Sequence, residues 1–479
     1  MNINTFNKPF NLVIFGARGN LVKKKIIPSL FNLFKLGYIN PKTKIICTGR
    51  ILWSKSKYIN FIKKSFVSIL KKKKNEDIFN YFCANIFFYK IDINEKNDFK
   101  ILLKKKINFK LSTIYYCAVP PDKFEKICFG LALTKLNFPL SKIVIEKPFG
   151  NNLISSKKIN KKISLYFKEN QIYRIDHYLG KDSIINLLML RMFNSRFVKV
   201  WNNKIIDHMQ ITVFEKIGIE NRNKYFDKTG QIKDMLQSHI LQIFSIITMS
   251  IPKKFTSETI SEEKVKILKS LKPISVDSVE KNIIKGQYIK GKIDGNIVPG
   301  YLEEIKSKKS NTETFIAIKT ELNHPNWKGI PFYIRTGKRL KKKYSEIVIH
   351  FKNSFVKNSS FLNKLIIKLH PINEIVIQIS KILCKYKKIF KLENLRLKMN
   401  LNYYKKKINS YGKLFLEIIK NLKRFFIYEE EVYASWKWID EILSSCKNNK
   451  LFYYKAGSWG PRKSFKMIKT DGNLWNKFD

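Results

Sequence analysis

Residues 10–22 read FNLVIFGARGNLV, an apolar run closed by Gly16, with Gly19 three positions on at the mouth of a helical pattern near 21–36. Unbroken β-branched and aromatic residues suit a strand buried on both faces, and the glycines let the chain turn tightly into the following helix. Backbone of this kind can approach a pyrophosphate, whose charge is met by the N–H groups of the helix N-terminus. The spacing is GxxGxxV rather than GxGxxG, and a glycine-containing turn with no binding role fits the same residues.

Outward from this junction the alternation continues. TKIICTG (43–49), FFYKIDI (87–93), STIYYCAV (112–119), KIVIEKP (142–148) and QIYRID (171–176) are separated by amphipathic runs near 57–72, 95–106, 123–137 and 152–168. Strands alternating with helices demand parallel crossovers, so residues 1–175 are expected to form a doubly wound α/β sheet. Beyond residue 176 the texture changes. A long helical region precedes MQITVFEK (209–216), AIKTEL (317–322), PFYIRTG (331–337), SEIVIHF (345–351) and NEIVIQI (373–379). Strands that follow one another without helices predict, over 176–479, a larger α+β domain with a mainly antiparallel sheet and helices such as 232–250 on one face. The Lys- and Asn-rich stretch 380–410 yields no assignment.

The chain has 479 residues, 44% of them hydrophobic, enough for sizeable cores, and a formal net charge of +56. So basic a chain invites a nucleic-acid or anionic-membrane partner. Yet of 93 Lys and Arg only 11 are Arg, and Ile, Asn, Phe and Tyr abound with the Lys. These residues share A- and T-rich codons, so drift in composition plus a solvated surface accounts for the charge, and neither a nucleic-acid nor a membrane partner is expected. The six Cys form no CxxC pair and no metal-ligand spacing with the six His, which predicts no metal site and a reducing compartment. MNINTFNKPFNLVIFG lacks a charged segment leading into a long apolar one, and no eighteen uncharged apolar residues run together, so a soluble cytoplasmic protein is expected.

Several motifs carry chemistry. Where a carboxylate at the end of the second strand would hold the ribose 2′-hydroxyl of NAD, the chain has CTGR, with Arg50 after Gly49. A guanidinium there suits a 2′-phosphate and favours NADP; a surface Arg at a helix start is the plainer reading. Lys147 and Pro148 of IEKPFG lie at the carboxyl edge of the sheet, where open α/β folds bind ligands. RIDHYLGKDSIINLL (174–188) delivers Asp176, His177, Tyr178 and Lys181 in front of an apolar helical run, which suits an anion or simply a capped surface helix. Asp234 and His239 sit five apart in an apolar helical pattern, where a lone His is more often a core residue than a base.

Taken in order and at their separations, GARGNLVKKKIIPSLFNL, IEKPFG, RIDHYLGKDSIINLLMLR, YFDKTGQIKDMLQSHILQ, PFYIRTGKRL and YKAGSWGP resemble the glucose-6-phosphate dehydrogenase family from about residue 10 to residue 461. The resemblance implies a Rossmann-like first domain binding NADP through Gly16, Ala17, Arg18, Gly19, Asn20, Leu21, Arg50, Asp92, Ile93 and Lys147. It implies that His177, Tyr178, Lys181 and Lys343 hold the phosphate of glucose 6-phosphate, and that Lys147, Glu215, Asp234 and Lys338 meet its hydroxyls. It makes His239 the base for oxidation at C1, with Asp176 orienting the imidazole, and it implies a homodimer or homotetramer. The chain departs from the family pattern at Asn20 (usually Asp), Val22 (usually small), Gly49 (commonly Ala) and Gly412 (usually acidic). The rival reading from another class is a catalytically weak basic dinucleotide-fold protein that binds RNA or another polyanion.

Overall fold

In the computed structural model the apolar runs of the first part become β1 (Asn11–Phe15), β2 (Lys44–Gly49), β3 (Ile86–Lys90), β4 (Thr113–Cys117), β5 (Ser141–Glu146) and β6 (Ile172–Ile175). The structure describes residues 8–67, 69–70, 73–104, 107–220, 222–352, 363–385, 389–400 and 408–477. All neighbours pair in parallel in the order β3-β2-β1-β4-β5-β6, so the direction of winding reverses between β1 and β4. Both faces are covered, which is why β1, β4 and most of β5 are apolar without alternation and buried throughout. The doubly wound fold expected from the sequence is the one observed.

Among the described residues the second sheet has nine strands: β7 (Ile206–Phe214), β8 (Ile283–Ile289), β11 (Phe315–Thr320), β12 (Phe332–Gly337), β13 (Tyr344–Phe351), β14 (Lys364–His370), β15 (Glu374–Lys385), β16 (Ile389–Asn400) and β17 (Leu451–Lys455); β9 (Gly291–Ile293) and β10 (Asn296–Val298) make a separate hairpin. The order across the sheet is β16-β15-β14-β13-β7-β12-β11-β8-β17. The sheet is mainly antiparallel, but β7 pairs β12 in parallel and β8 pairs β17 in parallel. The stretch 380–410, unassigned from sequence, holds the end of β15 and the whole of β16. One face of the sheet is packed by the wholly buried helix Leu241–Thr248, whose Phe244 meets Phe332 of β12 edge-on at 5.0 Å. Apolar burial of this kind supplies most of the driving force for such a domain.

By contact density the chain divides into one unit of Met1–Gly180, Thr256–Ser261 and Tyr404–Tyr433, and a second of Lys181–Phe255, Glu262–Tyr403 and Ala434–Asp479. A single cut at residue 175 does not describe this partition, because a late segment returns to the first unit. Two buried cations explain the return: Lys142 Nζ donates to the carbonyl of Ile418 at 2.6 Å, and Arg174 Nη1 donates to that of Ile427 at 3.3 Å. Phe415 also stacks on Tyr116 at 5.5 Å. Among the described residues no helix is long and apolar enough to cross a membrane.

Candidate active site

In the first unit the turn after β1 places Gly16 at φ +77°, and a Cβ there would lie 2.4 Å from the carbonyl oxygen of Ala118 at the end of β4. Only glycine lets β1 and β4 open into a crevice at this point, the place where doubly wound sheets bind nucleotides. Gly19 N–H donates to Gly16 O at 3.0 Å, closing the turn; Ala17 and Arg18 form its arc, and Asn20 and Leu21 begin the helix. That helix passes through a π-helical turn, Val22–Ile26, before Ile27–Lys35, and Val22 is fully buried in it. Arg50 stands exposed just past β2. Asp92 and Ile93 follow β3, but the Asp92 carboxylate accepts from its own turn, from Asn94 N at 3.0 Å and Nδ2 at 2.8 Å. A glycine-lined crevice, a helix N-terminus and an exposed guanidinium fit a dinucleotide that carries a 2′-phosphate.

At the carboxyl end of β5, Glu146 precedes Lys147 and Pro148. Tyr116 of β4 donates its hydroxyl to Glu146, and Tyr411 hydrogen-bonds the same carboxyl. Burial pushes the Glu146 pKa up to about 7, further raised by Asp176 and opposed by Tyr116, Lys147 and Tyr411. Asp176 is buried, and its Oδ1 accepts from Tyr178 N at 2.8 Å, which fixes the DHY turn. His177 stacks on Tyr411 with ring planes 8° apart and meets Tyr178 at a tilt of 56°, with centroids 5.0 Å apart. Lys147, Asp176, His177 and Tyr178 therefore share one neighbourhood. Arg174, beside them in sequence, turns inward: it is fully buried and holds Glu169 at 2.7 Å and Asn160 at 3.0 Å.

The second unit collects the carboxylates. Glu215 follows β7 and Lys338 follows β12, and because these strands pair in parallel both residues emerge at one edge of the sheet. Lys338 has no exposure; its Nζ donates to Glu215 Oε2 at 2.5 Å and lies 3.8 Å from Asp234 Oδ2. Arg222 approaches the same Asp234 oxygen at 3.7 Å. Asp234 and His239 both lie in a π-helical stretch, Ile232–Ile240. Its i→i+5 bonding winds residues five apart onto nearly the same face, which an α-helix would not do. The stretch starts where Ile232 N donates to Glu313 Oε1 at 2.9 Å, after Gly230 at φ +67°. A Cβ at Gly230 would sit 2.3 Å from that Glu313 oxygen, so the KTGQ glycine makes room for the cap.

Lys181 precedes helix Asp182–Phe193, and Lys343 precedes β13. Ser183 Oγ ties the helix to β14 and the turn after it, donating to Lys368 O at 2.9 Å and bonding Asn373 Oδ1 at 3.0 Å. Both ammonium groups act on His370 at the end of β14: burial lowers its pKa first, then Lys343 and Lys181 lower it further. Two cations that act on one imidazole, one of them at a helix N-terminus, are suited to a dianion.

The sequence pattern did not single out Glu146, Tyr116, Tyr411, Arg222 or His370. Glu146 stood inside a quoted motif but read as the end of a strand; Tyr411 and His370 lie far along the chain from the motifs they join, and nothing local marks them.

Residues 13–186 match the family model described as the glucose-6-phosphate dehydrogenase NAD binding domain, and residues 188–476 match that for the glucose-6-phosphate dehydrogenase C-terminal domain. The chain is 46% identical over 488 residues to the glucose-6-phosphate 1-dehydrogenase of Buchnera aphidicola subsp. Acyrthosiphon pisum, covering 98% of this chain and 99% of that protein. It is 40% identical to the same enzyme of Dickeya dadantii, over 98% of both. A solved glucose-6-phosphate dehydrogenase in complex with its substrate glucose-6-phosphate superposes with a TM-score of 0.88 at 29% identity, covering 98% of this chain and 99% of that one.

Proposed function

The chain belongs to the glucose-6-phosphate dehydrogenase family along both of its parts, and on that premise we propose that it oxidises glucose 6-phosphate at C1 to 6-phosphoglucono-1,5-lactone, with NADP as hydride acceptor. The observation that carries the residue assignments is the buried Lys338 held at Glu215 with Asp234 nearby, at the strand edge and beside the helix of His239. Carboxylates so placed accept hydrogen bonds from sugar hydroxyls, and the ammonium orients them. Lys181 and Lys343 take the phosphate, joined by His177 and Tyr178.

His239 removes the proton of the C1 hydroxyl, and Asp176 is the carboxylate that orients it and stabilises the imidazolium formed. Bound NADP supplies the nicotinamide that receives the hydride from C1. A positioned base of this kind contributes about 10²–10⁴ in rate, and holding the sugar in a reactive pose supplies much of the rest. Gly16, Ala17, Arg18, Gly19, Asn20, Leu21, Arg50, Asp92, Ile93 and Lys147 make up the coenzyme side, with Asp92 Oδ1 also holding the turn through Asn94. The enzyme acts in the cytoplasm as a homodimer or homotetramer without nucleic acid, a setting that suits its free, buried Cys47, Cys83, Cys117, Cys128 and Cys446.

The test is absorbance in the reduced-nicotinamide band with glucose 6-phosphate and NADP or NAD in turn. Reduction that needs the phosphorylated sugar and runs best with NADP is expected; no reduction with either coenzyme overturns the reading. The alternative of a weakly catalytic polyanion binder, which the comparisons do not support, predicts the latter together with steeply salt-dependent retention on RNA.

A further inference from the structure

Arg18 and Trp53 lie at the open ends of β1 and β2, and neither strand needs them for its core. The Arg18 guanidinium carbon sits 4.4 Å from the centroid of the Trp53 indole, and Lys57 Nζ lies 5.4 Å from the same ring. The indole is itself held from within the unit, by Phe61 with centroids 5.4 Å apart and by Phe88 at 5.9 Å. Gly49 leaves the space that this arrangement uses: a Cβ there would lie 3.1 Å from Phe88 Cζ and 3.4 Å from Arg18 Cδ. The Arg18 stem thus runs across Gly49, the residue immediately before Arg50, and Ala17 N–H is pinned to Thr48 O at 3.0 Å.

Resting on the reading of this crevice as an NADP site, we propose that Trp53 is a positioning residue for coenzyme specificity, whose indole holds Arg18 over Gly49 so that two guanidiniums, of Arg18 and Arg50, face the adenosine 2′-phosphate. A free Arg on an exposed turn samples many rotamers, and each must be given up to grip an anion. Stacking on a fixed indole removes part of that loss before the ligand arrives and leaves the guanidinium edge free to donate. The Gly at 49, a departure from the family's usual residue, is the permissive half of the device.

The probe is adenosine 2′,5′-bisphosphate against AMP, titrated calorimetrically into the intact protein. Trp53→Ala is expected to weaken the bisphosphate about two- to five-fold and leave AMP unchanged, the range of a cation–π contact at an exposed site. Trp53→Phe, which keeps an aromatic face, retains affinity within about twofold. Arg18→Ala costs about tenfold or more, as loss of a charge-assisted contact does, and adding Trp53→Ala to it costs nothing further, because Trp53 acts through Arg18. Equal weakening of both ligands by Trp53→Ala, no weakening of either, or a double variant weaker than Arg18→Ala alone overturns the proposal. A native protein that binds the two ligands equally overturns it as well, whereas failure of the oxidation assay with both coenzymes tests the function itself.

Discussion

Lys338 is the residue on which the proposed sugar site is most exposed to test. It has no solvent contact, donates to Glu215 at 2.5 Å and lies 3.8 Å from Asp234. Lys338→Met keeps much of the side-chain volume and deletes the charge, leaving two carboxylates to share one edge of the sheet. Breaking a buried pair by removing one partner typically costs about 3–5 kcal/mol, because the remaining charge is stranded. Here Glu215 retains 23% exposure and Asp234 keeps Arg222 at 3.7 Å, so the lower end, about 3 kcal/mol, applies. For a unit of this size each kcal/mol moves the midpoint by about 2–4 °C, which gives a fall of roughly 6–12 °C. Thermal unfolding followed by circular dichroism, with and without Glu215→Gln in the same chain, measures it. The second substitution removes one stranded charge and is expected to restore at least about 1 kcal/mol, a sign that independent sites do not give. A midpoint within about 2 °C of the native value for Lys338→Met would refute the reasoning, since it would mean that the ammonium is not holding those carboxylates.

Three further outcomes follow from the same geometry. His239→Asn is expected to lower turnover by about 10²-fold or more with little change in KM for the sugar phosphate, and near-normal turnover removes His239 as base. Lys181→Ala is expected to raise KM for glucose 6-phosphate about tenfold or more while barely affecting unphosphorylated glucose; an unchanged KM contradicts its phosphate role. The raised pKa of Glu146, about 7, makes the folded chain bind a proton that the unfolded chain releases at about 4.3. Stability from this group is therefore complete below the unfolded value and lost as pH rises to about 7, by at most about 4 kcal/mol. Urea titrations from pH 4 to 8 are expected to show that slope in the native chain and its loss in Glu146→Gln, and the same slope in both would exclude Glu146 as its source.

The first sheet could be read from sequence because its strands are buried on both faces, so β1, β4 and β5 carry apolar runs that nothing else explains. The second sheet was read only in part. β8 (IIKGQYI) and β14 (KLIIKLH) carry lysines that look like surface residues, yet Lys285 is buried and donates to Cys446 O at 2.6 Å. In a chain with this much lysine, composition cannot separate a solvated ammonium from one that has found a carbonyl, as Lys142 also has, or a carboxylate, as Lys338 has. The extent of β15 and β16 was missed for the same reason, since polar residues on a long hairpin imitate loop filler.

What the amino-acid order determined by itself was local and periodic: the glycine turn after β1, the alternation that makes a doubly wound sheet, and motif residues close together in the chain, such as Asp176, His177 and Tyr178. These depend on contacts between near neighbours or on burial along a single element, and both leave a pattern in one dimension. Only the tertiary structure decided that Tyr411 reaches Glu146, that Lys343 and Lys181 both act on His370, and that Glu215 and Lys338 emerge side by side. It also decided that Ile232–Ile240 winds as a π-helix, which brings Asp234 and His239 toward one face. Strand order and helix winding are settled by the whole set of packed surfaces and buried hydrogen bonds, a balance that no single stretch of residues contains.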